Sequence, residues 1–395
     1  MSRLTAAITL IAIPALLFAL FQTVRFTLAD SLARSGSLDS VTRAIQMSPD
    51  DARLYLQRAE LNAPNAVQDL RRAASLNPSN AAPWIELGLK AEAAQDFQQA
   101  EQNLLEASRR DAGYSPRWSL ANYYFRRQQW DKFWHWAQSG AALYHGDLKA
   151  LYRLCLRADA DPLFTMKRIV PPRPAAQREF LELLVEQKRW DHVEAAALTL
   201  LTHARVRDTD LVLYACEHFI QGGQPDPAIE LWNGLAQRRL IPFQTLDLSA
   251  GRSLTNASFG VPFTAKGFDW RPSEIEGVTL QQIGSPAGLR FEFSGHQPAS
   301  CTLLAQILPL LPGRRYRLQY EYQSGLSGPG CRWRVLNQLS NPLSKAESFT
   351  RGSFEVLVPA GQPLVTLELI SRHEPGYVRP EGRLEIESVQ LQLIP

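Results

Sequence analysis

The sequence predicts a multidomain α and β protein in three parts: an N-terminal transmembrane helix (residues 1–29), a helical repeat domain (30–245) and a C-terminal antiparallel β-sandwich (246–395). Three observations predict this division. An uncharged apolar stretch opens the chain, and two tryptophans within helical segments recur at a repeat spacing. After Pro242 the helical periodicity gives way to short runs in which apolar and polar residues alternate.

The composition is that of an ordinary folded protein. Of the 395 residues, 45% are hydrophobic and 21% are charged, as in most globular domains, and the length allows two or three domains. The formal net charge of +3 is too small to indicate a nucleic-acid partner, and the arginines form no basic stripe interleaved with aromatic residues. We therefore expect no nucleic-acid binding.

The N-terminal stretch has the composition of a membrane span. No charged residue lies between Leu4 and Val24, which is long enough to cross a hydrocarbon core of about 30 Å. The alternative is a cleaved signal peptide, but its apolar region is normally only about 7–15 residues long. The best cleavage position, after Ala29, is also an imperfect match. We expect a retained single-pass anchor that contacts the membrane through residues 4–24.

The charges around this stretch leave its orientation open. Arg3 precedes it, and Arg25 and Arg34 follow it, so the bias that sets orientation is almost balanced. A short N-terminus before a large globular body usually leaves that body outside the cytoplasm. We therefore expect an inner (cytoplasmic) membrane protein with a periplasmic or otherwise extracytoplasmic body.

The helical part carries a repeat. Trp84 and Trp118 are 34 residues apart, which is the tetratricopeptide period. Counted from Trp84, Leu87 and Gly88 hold the close-packing positions of a first helix, and small residues hold those of a second helix, at Ala100 and Ala107. This part therefore resembles tetratricopeptide repeat (TPR) proteins, with the best match over residues 62–145. The resemblance implies pairs of antiparallel helices in which small residues allow close approach.

The resemblance to TPR proteins also implies a protein partner, because such arrays bind peptides or proteins along a concave groove. Asn122 and Arg126 lie on the first helix of a unit and are the candidate groove residues. A solvated helix face without a ligand is the alternative for both. The aromatic residues at 130–134 follow a helical stripe, which predicts core packing.

The C-terminal part has the alternation of antiparallel strands. In Leu289–Ser294 and Tyr316–Tyr322, every second residue is apolar and the residues between are polar. About eight to ten such runs, without interposed helices, predict two antiparallel sheets packed as a sandwich.

Four segments of this part resemble jelly-roll carbohydrate-binding modules and galactose-binding-like domains. They are LTNASFG (Leu254–Gly260), GFDWRP (Gly267–Pro272), LPGRRYRLQYEYQS and the closing GRLEIESVQLQLI. The resemblance covers about 140 residues. Together with the anchor and the TPR array, it resembles bacterial envelope proteins linked to exopolysaccharide synthesis and export.

A module of this kind implies a sugar site, in which an aromatic ring stacks on a pyranose face and polar side chains bond to the hydroxyl groups. Trp270 is the expected stacking residue, because glycine and proline bound its segment as they would a loop. The outward-facing polar candidates on strands are Arg317, Gln319 and Arg334. For each of them, a buried or merely solvated side chain is the alternative.

The four cysteines do not indicate a metal site. Cys155, Cys216, Cys301 and Cys331 form no CxxC pair, and no histidine cluster lies near them. In an oxidising compartment, a disulfide between Cys301 and Cys331 would close a loop of about 30 residues and stabilise the domain by roughly 3–4 kcal/mol. The sequence leaves open whether the two side chains meet.

No motif of an enzyme is present in the sequence. Nucleophile elbows, phosphate loops, HExxH and dinucleotide fingerprints are all absent. We expect a non-enzymatic protein that uses no cofactor. Two alternatives stand beside it: a pure protein–protein scaffold without sugar binding, and a carbohydrate-active enzyme, which would need two facing carboxylates.

Overall fold

The computed structural model describes residues 3–61 and 63–394. Its contacts divide the chain into two compact units, Met1–Pro171 and Pro172–Pro395. The described part of the first unit is helical: α1 (Arg3–Arg34), α2 (Leu38–Met47), α3 (Ala52–Glu60), α4 (Ala66–Leu76), α5 (Ala82–Ala93), α6 (Phe97–Arg110), α7 (Tyr114–Arg126), α8 (Trp130–Leu143), α9 (Lys149–Ala158) and α10 (Pro162–Arg168).

Helices of the first unit pack as successive antiparallel pairs, as the repeat spacing predicts. In the α5–α6 pair, Gly88 lets the two helices approach closely, because a Cβ there would lie 2.7 Å from Cγ of Leu104. Ala100 and Ala107 of α6 are fully buried in the same pair. Polar caps mark where helices begin: Asp96 accepts a hydrogen bond from the backbone N–H of Gln99 at the start of α6.

The long helix α1 has two different halves. Its described apolar side chains before residue 29 are mostly exposed, as shown by Leu16 (69%) and Phe21 (62%). From Ala29 onward, the helix packs against α2 in a small core cluster that also contains Val41 and Ala44. Within the described residues, one helix is long and apolar enough to cross a membrane, and the qualifying stretch is Leu16–Arg34. Both a signal sequence and a membrane anchor fit this composition.

The second unit begins with four helices and a short 3-10 turn, and it continues with ten described strands. The helices are α11 (Pro174–Glu186), α12 (Trp190–Leu201), α13 (Thr209–Gln221) and α14 (Pro225–Gln237), with the turn at Val206–Asp208. The strands are β1 (Arg271–Pro272), β2 (Val278–Gly284), β3 (Ala287–Ser294), β4 (Ser300–Pro309), β5 (Arg315–Ser324), β6 (Cys331–Val335), β7 (Gln338–Leu339), β8 (Ala346–Leu357), β9 (Leu364–Arg372) and β10 (Glu381–Ile394).

The strands form two five-stranded antiparallel sheets. The first sheet has the order β1-β4-β9-β6-β7, and the second has the order β2-β3-β10-β5-β8. Apolar side chains from the inner faces of both sheets fill one core, among them Phe291, Tyr316, Leu318, Trp333, Leu367 and Ile386. The prediction of a TPR-like helical region followed by an antiparallel β-sandwich is confirmed.

The segment Gly267–Arg271, which we call the junction motif, connects the last helices to the sandwich. Gly267 has a φ of 59°, and a Cβ on it would lie 2.6 Å from the ring of Trp232 on α14. The ring of Phe268 meets the same tryptophan edge-on, with the ring centroids 5.8 Å apart. Only glycine fits this position without moving the tryptophan.

Polar contacts of the junction motif reinforce this packing. The guanidinium of Arg271 donates two hydrogen bonds to the carboxylate of Glu217 on α13, at 2.8 and 2.9 Å. The same carboxylate accepts the backbone N–H of Gly267 at 3.0 Å. The junction motif therefore joins the last helices to the sandwich. Its contacts span the point near residue 245 at which the sequence pattern changes from helices to strands.

Candidate binding cleft on the second sheet

The outer surface of the second sheet carries a patch of polar side chains, which we call the polar face. It lies on three neighbouring strands, β10, β5 and β8. Side chains opposite each other in an antiparallel register share one face of the sheet. The register gives three rows: Arg317 with Gln392 and Glu355, Gln319 with Gln390 and Ser353, and Glu321 with Ser388 and Arg351.

A cleft of about 210 Å³ opens on the polar face. Its lining comprises two rows of the polar face together with parts of Tyr320 and Gly352. Gly352 is required beneath it, because a Cβ there would lie 2.2 Å from the Tyr320 ring. That ring points into the core and is 4% exposed. The cleft therefore has polar walls and a floor fixed by inward packing.

The charges of the polar face are neutralised within the sheet. Arg351 donates to Glu321 at 2.5 Å, and this hydrogen bond holds the pKa of Glu321 below its ordinary value. Arg317 donates to Glu355 at 2.8 Å. Since each cation has a carboxylate partner, the face is polar but balanced in charge.

Two amides in the cleft remain available to a ligand. Among the described residues, no group forms a hydrogen bond with the side chain of Gln319 or Gln390. Each amide offers two donors and one acceptor. The hydroxyl of Ser388 donates to Glu321 at 3.3 Å. The cleft can therefore donate to and accept from a neutral, hydroxyl-rich ligand.

The structure brings together two of the three predicted polar sugar-binding residues and separates the third. Arg317 and Gln319 both lie on the polar face, as their alternation predicts. Arg334 lies on β6 in the first sheet, where it donates to Glu368 at 2.7 and 2.9 Å and lowers the pKa of that carboxyl group. The strand order assigns Arg334 to the opposite sheet from Arg317 and Gln319, so these three residues cannot form one site, and a sugar-binding role for Arg334 stays a prediction.

The prediction of an exposed Trp270 is wrong. Its side chain is 0% exposed, its indole N–H donates to the carbonyl of Asn256 at 3.1 Å, and its ring lies 6.1 Å from that of Trp333. The glycine and proline around it do form an irregular segment. Because the junction motif is fixed on both sides, the ring packs inside the sandwich and cannot stack on a sugar.

Exposed aromatic rings occur elsewhere in the sandwich. Phe349 on β8 is 42% exposed and precedes Arg351 by two positions, and Tyr377 is 58% exposed in the loop between β9 and β10. Sequence reasoning missed both. The alternation of β8 could have identified Phe349, because residues two apart on a strand share a face. No exposed ring lines the cleft itself.

Both candidate groove residues of the helical part have partners within the array. The amide of Asn122 donates to the carbonyl of Trp118 at 2.8 Å. Arg126 donates to Glu92 at 2.8 and 2.6 Å, and the two residues are 34 positions apart, at equivalent places in successive repeats. The Arg126–Glu92 contact joins one repeat to the next, whereas the Asn122 contact lies within α7. The peptide-groove role of Asn122 and Arg126 stays a prediction.

The strand order contradicts a disulfide between Cys301 and Cys331. Cys301 on β4 and Cys331 on β6 both lie opposite Ser371 of β9, one on each side. Neighbouring strands are about 4.8 Å apart, so the two Cα atoms are separated by about 10 Å, beyond the 7 Å limit for a disulfide. Burial raises the pKa of Cys331 to about 12, which keeps its thiol protonated.

No group of three or more histidine, cysteine or acidic side chains is arranged to hold a metal ion within the part of the chain that the structure describes.

Comparisons with known proteins identify no family for this chain. No protein-family model and no curated protein matches the chain. YrrB, a TPR protein with an unusual peptide-binding site, is 14% identical over 51% of this chain and 93% of its own, with a TM-score of 0.25. A CBM4 module is 12% identical over 36% of this chain and 100% of its own, with a TM-score of 0.27.

A third similar structure is the enzymatically active domain of tailspike protein 4 from bacteriophage CBA120. It is 12% identical over 32% of this chain, with a TM-score of 0.24, and the match spans only 19% of the tailspike chain. Similarities of this size carry no argument about ligands. The chain combines a region of paired helices with an antiparallel β-sandwich.

Proposed function

We propose that this protein is a non-enzymatic, membrane-anchored envelope protein of the inner membrane with a periplasmic body. Its helical repeats dock a partner protein, and its polar face binds a polysaccharide during assembly or export. The observation that carries the proposal is the cleft on the second sheet. Its surface is balanced in charge, and among the described residues the side-chain amides of Gln319 and Gln390 in it make no hydrogen bond.

The chemistry of the polar face matches a neutral glycan. Its rows extend beyond the cleft on three strands, so several sugar units can lie along the sheet. Each hydrogen bond between protein and ligand contributes only about 0.5–1.5 kcal/mol net, and no exposed ring in the cleft adds stacking energy. Binding of a single sugar is therefore weak, and useful affinity requires a chain that meets several side chains at once.

The two halves of α1 support a retained anchor. The N-terminal half exposes apolar side chains, which are unfavourable in water and favourable in the hydrocarbon core of a membrane. Cleavage after Ala29 would remove Ala29 itself, which is only 3% exposed in the cluster that α1 forms with α2, and would leave only residues 30–34 of α1 to pack there. Retention keeps the first helical pair complete.

The test is a binding screen with the full-length chain in detergent micelles. Affinity electrophoresis through gels that contain neutral bacterial polysaccharides detects weak, multivalent binding. We expect retardation of the wild-type protein, a loss of it in Gln319→Ala/Gln390→Ala, and no change in Gln362→Ala, which removes an exposed glutamine from a distant turn. Retardation that is equal in all three proteins would refute the cleft as the site.

A pure protein–protein scaffold is the second candidate function. The observation that favours it is the burial of Trp270, which leaves the cleft without a stacking residue. Absence of retardation by every polysaccharide, with the fold intact by circular dichroism, would support the scaffold.

A carbohydrate-active enzyme is the remaining alternative. Its strongest ground is a neighbouring cleft of about 530 Å³ on the second sheet, which is lined by Glu292, Glu347 and Glu385. Arg290 donates to Glu385 at 2.8 Å, and Arg383 donates to Glu292 at 3.5 Å. Both carboxylates are therefore already bonded to arginines in the structure. Release of reducing ends from a bound polysaccharide would support this alternative.

A further inference from the structure

The edge of the second sheet formed by β8 is long and unpaired. β8 spans Ala346–Leu357 and, among the described strands, has β5 as its only neighbour. At its end, the backbone N–H of Leu357 donates to Oε1 of Gln338, and Nε2 of Gln338 donates to the carbonyl of Leu357, at 3.1 and 2.9 Å. A side-chain amide there takes the place of a peptide group from a further strand.

This contact fixes which backbone groups face outward. Groups on residues two apart point to the same edge of a strand, so the N–H and C=O groups of Arg351, Ser353 and Glu355 point the same way as those of Leu357. The register on the other side of β5 agrees. The N–H of Val389 on β10 points away from β5 to the carbonyl of Ala257 at 2.8 Å. Its partner Tyr320 therefore directs its backbone groups to Gly352 of β8, which leaves the backbone groups of Ser353 pointing outward. No hydrogen bond to the three outward-facing pairs is seen among the described residues.

The exposed edge is complementary to itself. Arg351 and Glu355 lie two residues before and two residues after Ser353. In an antiparallel pairing of two copies centred on Ser353, Arg351 of each copy therefore faces Glu355 of the other. Opposite charges directly across a strand pair are favourable, and like charges are unfavourable. The same charges oppose pairing with most other edges, which is how natural sheets avoid unspecific association.

Neighbouring side chains extend this complementarity. Arg351 already contacts Glu321, and Glu355 contacts Arg317, so four charges of alternating sign would cross the seam. Phe349 and Leu357, which are 42% and 49% exposed, are each four residues from Ser353. In the pairing, one of these two apolar side chains from each copy lies just beyond each end of the ladder.

We propose that two copies of this chain associate along β8, antiparallel and centred on Ser353, to form a continuous sheet of ten strands. Six backbone hydrogen bonds form, and the ladder ends where Gln338 occupies Leu357. The polar faces of the two copies become neighbours on one surface. The interface is small, so the pairing is weak in solution and is favoured by the high local concentration of a membrane-anchored protein.

Disulfide trapping tests the register on the full-length chain in detergent. A hydrogen-bonded antiparallel pair has its Cα atoms about 5.5 Å apart, within the range of a disulfide. We expect Ser353→Cys to give a covalent dimer under mild oxidation. The matched control is Gln281→Cys, an exposed position on β2 at the opposite edge of the sheet, which should give no covalent dimer, like the wild type. Equal trapping in the two variants would overturn the proposed register.

Charge reversal tests the complementarity. Arg351→Glu and Glu355→Arg each place like charges across the seam, and sedimentation should show at least a tenfold weaker dimer for either variant alone. An equal mixture of the two restores opposite charges at both positions and should dimerise as the wild type does. Unchanged melting temperatures confirm that the variants fold. A monomeric wild type at all concentrations, or a mixture that fails to associate, would overturn the proposal.

Discussion

Replacing Glu217 with alanine tests whether the junction motif holds the last helices and the sandwich together. The substitution leaves the Arg271 guanidinium without its carboxylate and frees the backbone N–H of Gly267. Loss of one partner of a buried ion pair costs about 3–5 kcal/mol. Here the side chains of Arg271 and Glu217 are 26% and 20% exposed, and because solvent screens such a pair, we expect about 2–3 kcal/mol.

Hydrogen exchange measured by mass spectrometry resolves this effect locally. A loss of 2–3 kcal/mol corresponds to about 30-fold to 150-fold faster exchange in peptides that cover residues 264–271. The control is Arg383→Ala, because that arginine pairs with Glu292 while both side chains are 56% exposed, and such pairs contribute less than about 1 kcal/mol. Exchange in residues 264–271 that matches the wild type would refute the reasoning.

Gly88→Ala should lower the melting temperature, because the new Cβ would lie 2.7 Å from Leu104 and overpacking costs about 1–3 kcal/mol; Gly284→Ala, which meets no atom within 4 Å, is its control. Acid should weaken the contacts between Glu217 and the junction motif. Burial raises the pKa of Glu217, but the hydrogen bonds from Arg271 and Gly267 outweigh burial and lower that pKa overall. Their stabilisation is present above the ordinary glutamate pKa of about 4.3 and is lost as the pH falls through the folded value. Pepsin cleavage near residues 261–272 should therefore rise below about pH 4, and less so in Glu217→Gln. Reductant should leave the melting temperature unchanged, and thiol labelling after unfolding should find both Cys301 and Cys331; protection of the pair would contradict the strand order.

The sequence predicts the architecture well because the decisive signals are local. The spacing of Trp84 and Trp118 reports a repeat whose small residues, such as Gly88, have one packing role. Alternation along β5 places Arg317 and Gln319 outward without knowledge of the strand order. The repeat spacing also makes the ion pair between Arg126 and Glu92 predictable, because the two residues are one repeat apart.

The errors arise where the answer depends on residues far away in sequence. β9 lies between β4 and β6, and this insertion keeps Cys301 from Cys331. The sheet order likewise separates Arg334 from the polar face. Trp270 looked exposed because its segment has the composition of a loop, but nothing local shows that Glu217 fixes the segment and that the ring packs into the core.

The measurement that tests the central proposal most directly is a hydrogen-exchange footprint of the full-length chain with a retained polysaccharide. We expect slower exchange in the strands of the polar face, at residues 317–321, 351–355 and 388–392, with the first sheet unchanged. Protection confined to the helical repeats or to the first sheet, with none in these three strands, would contradict the proposal.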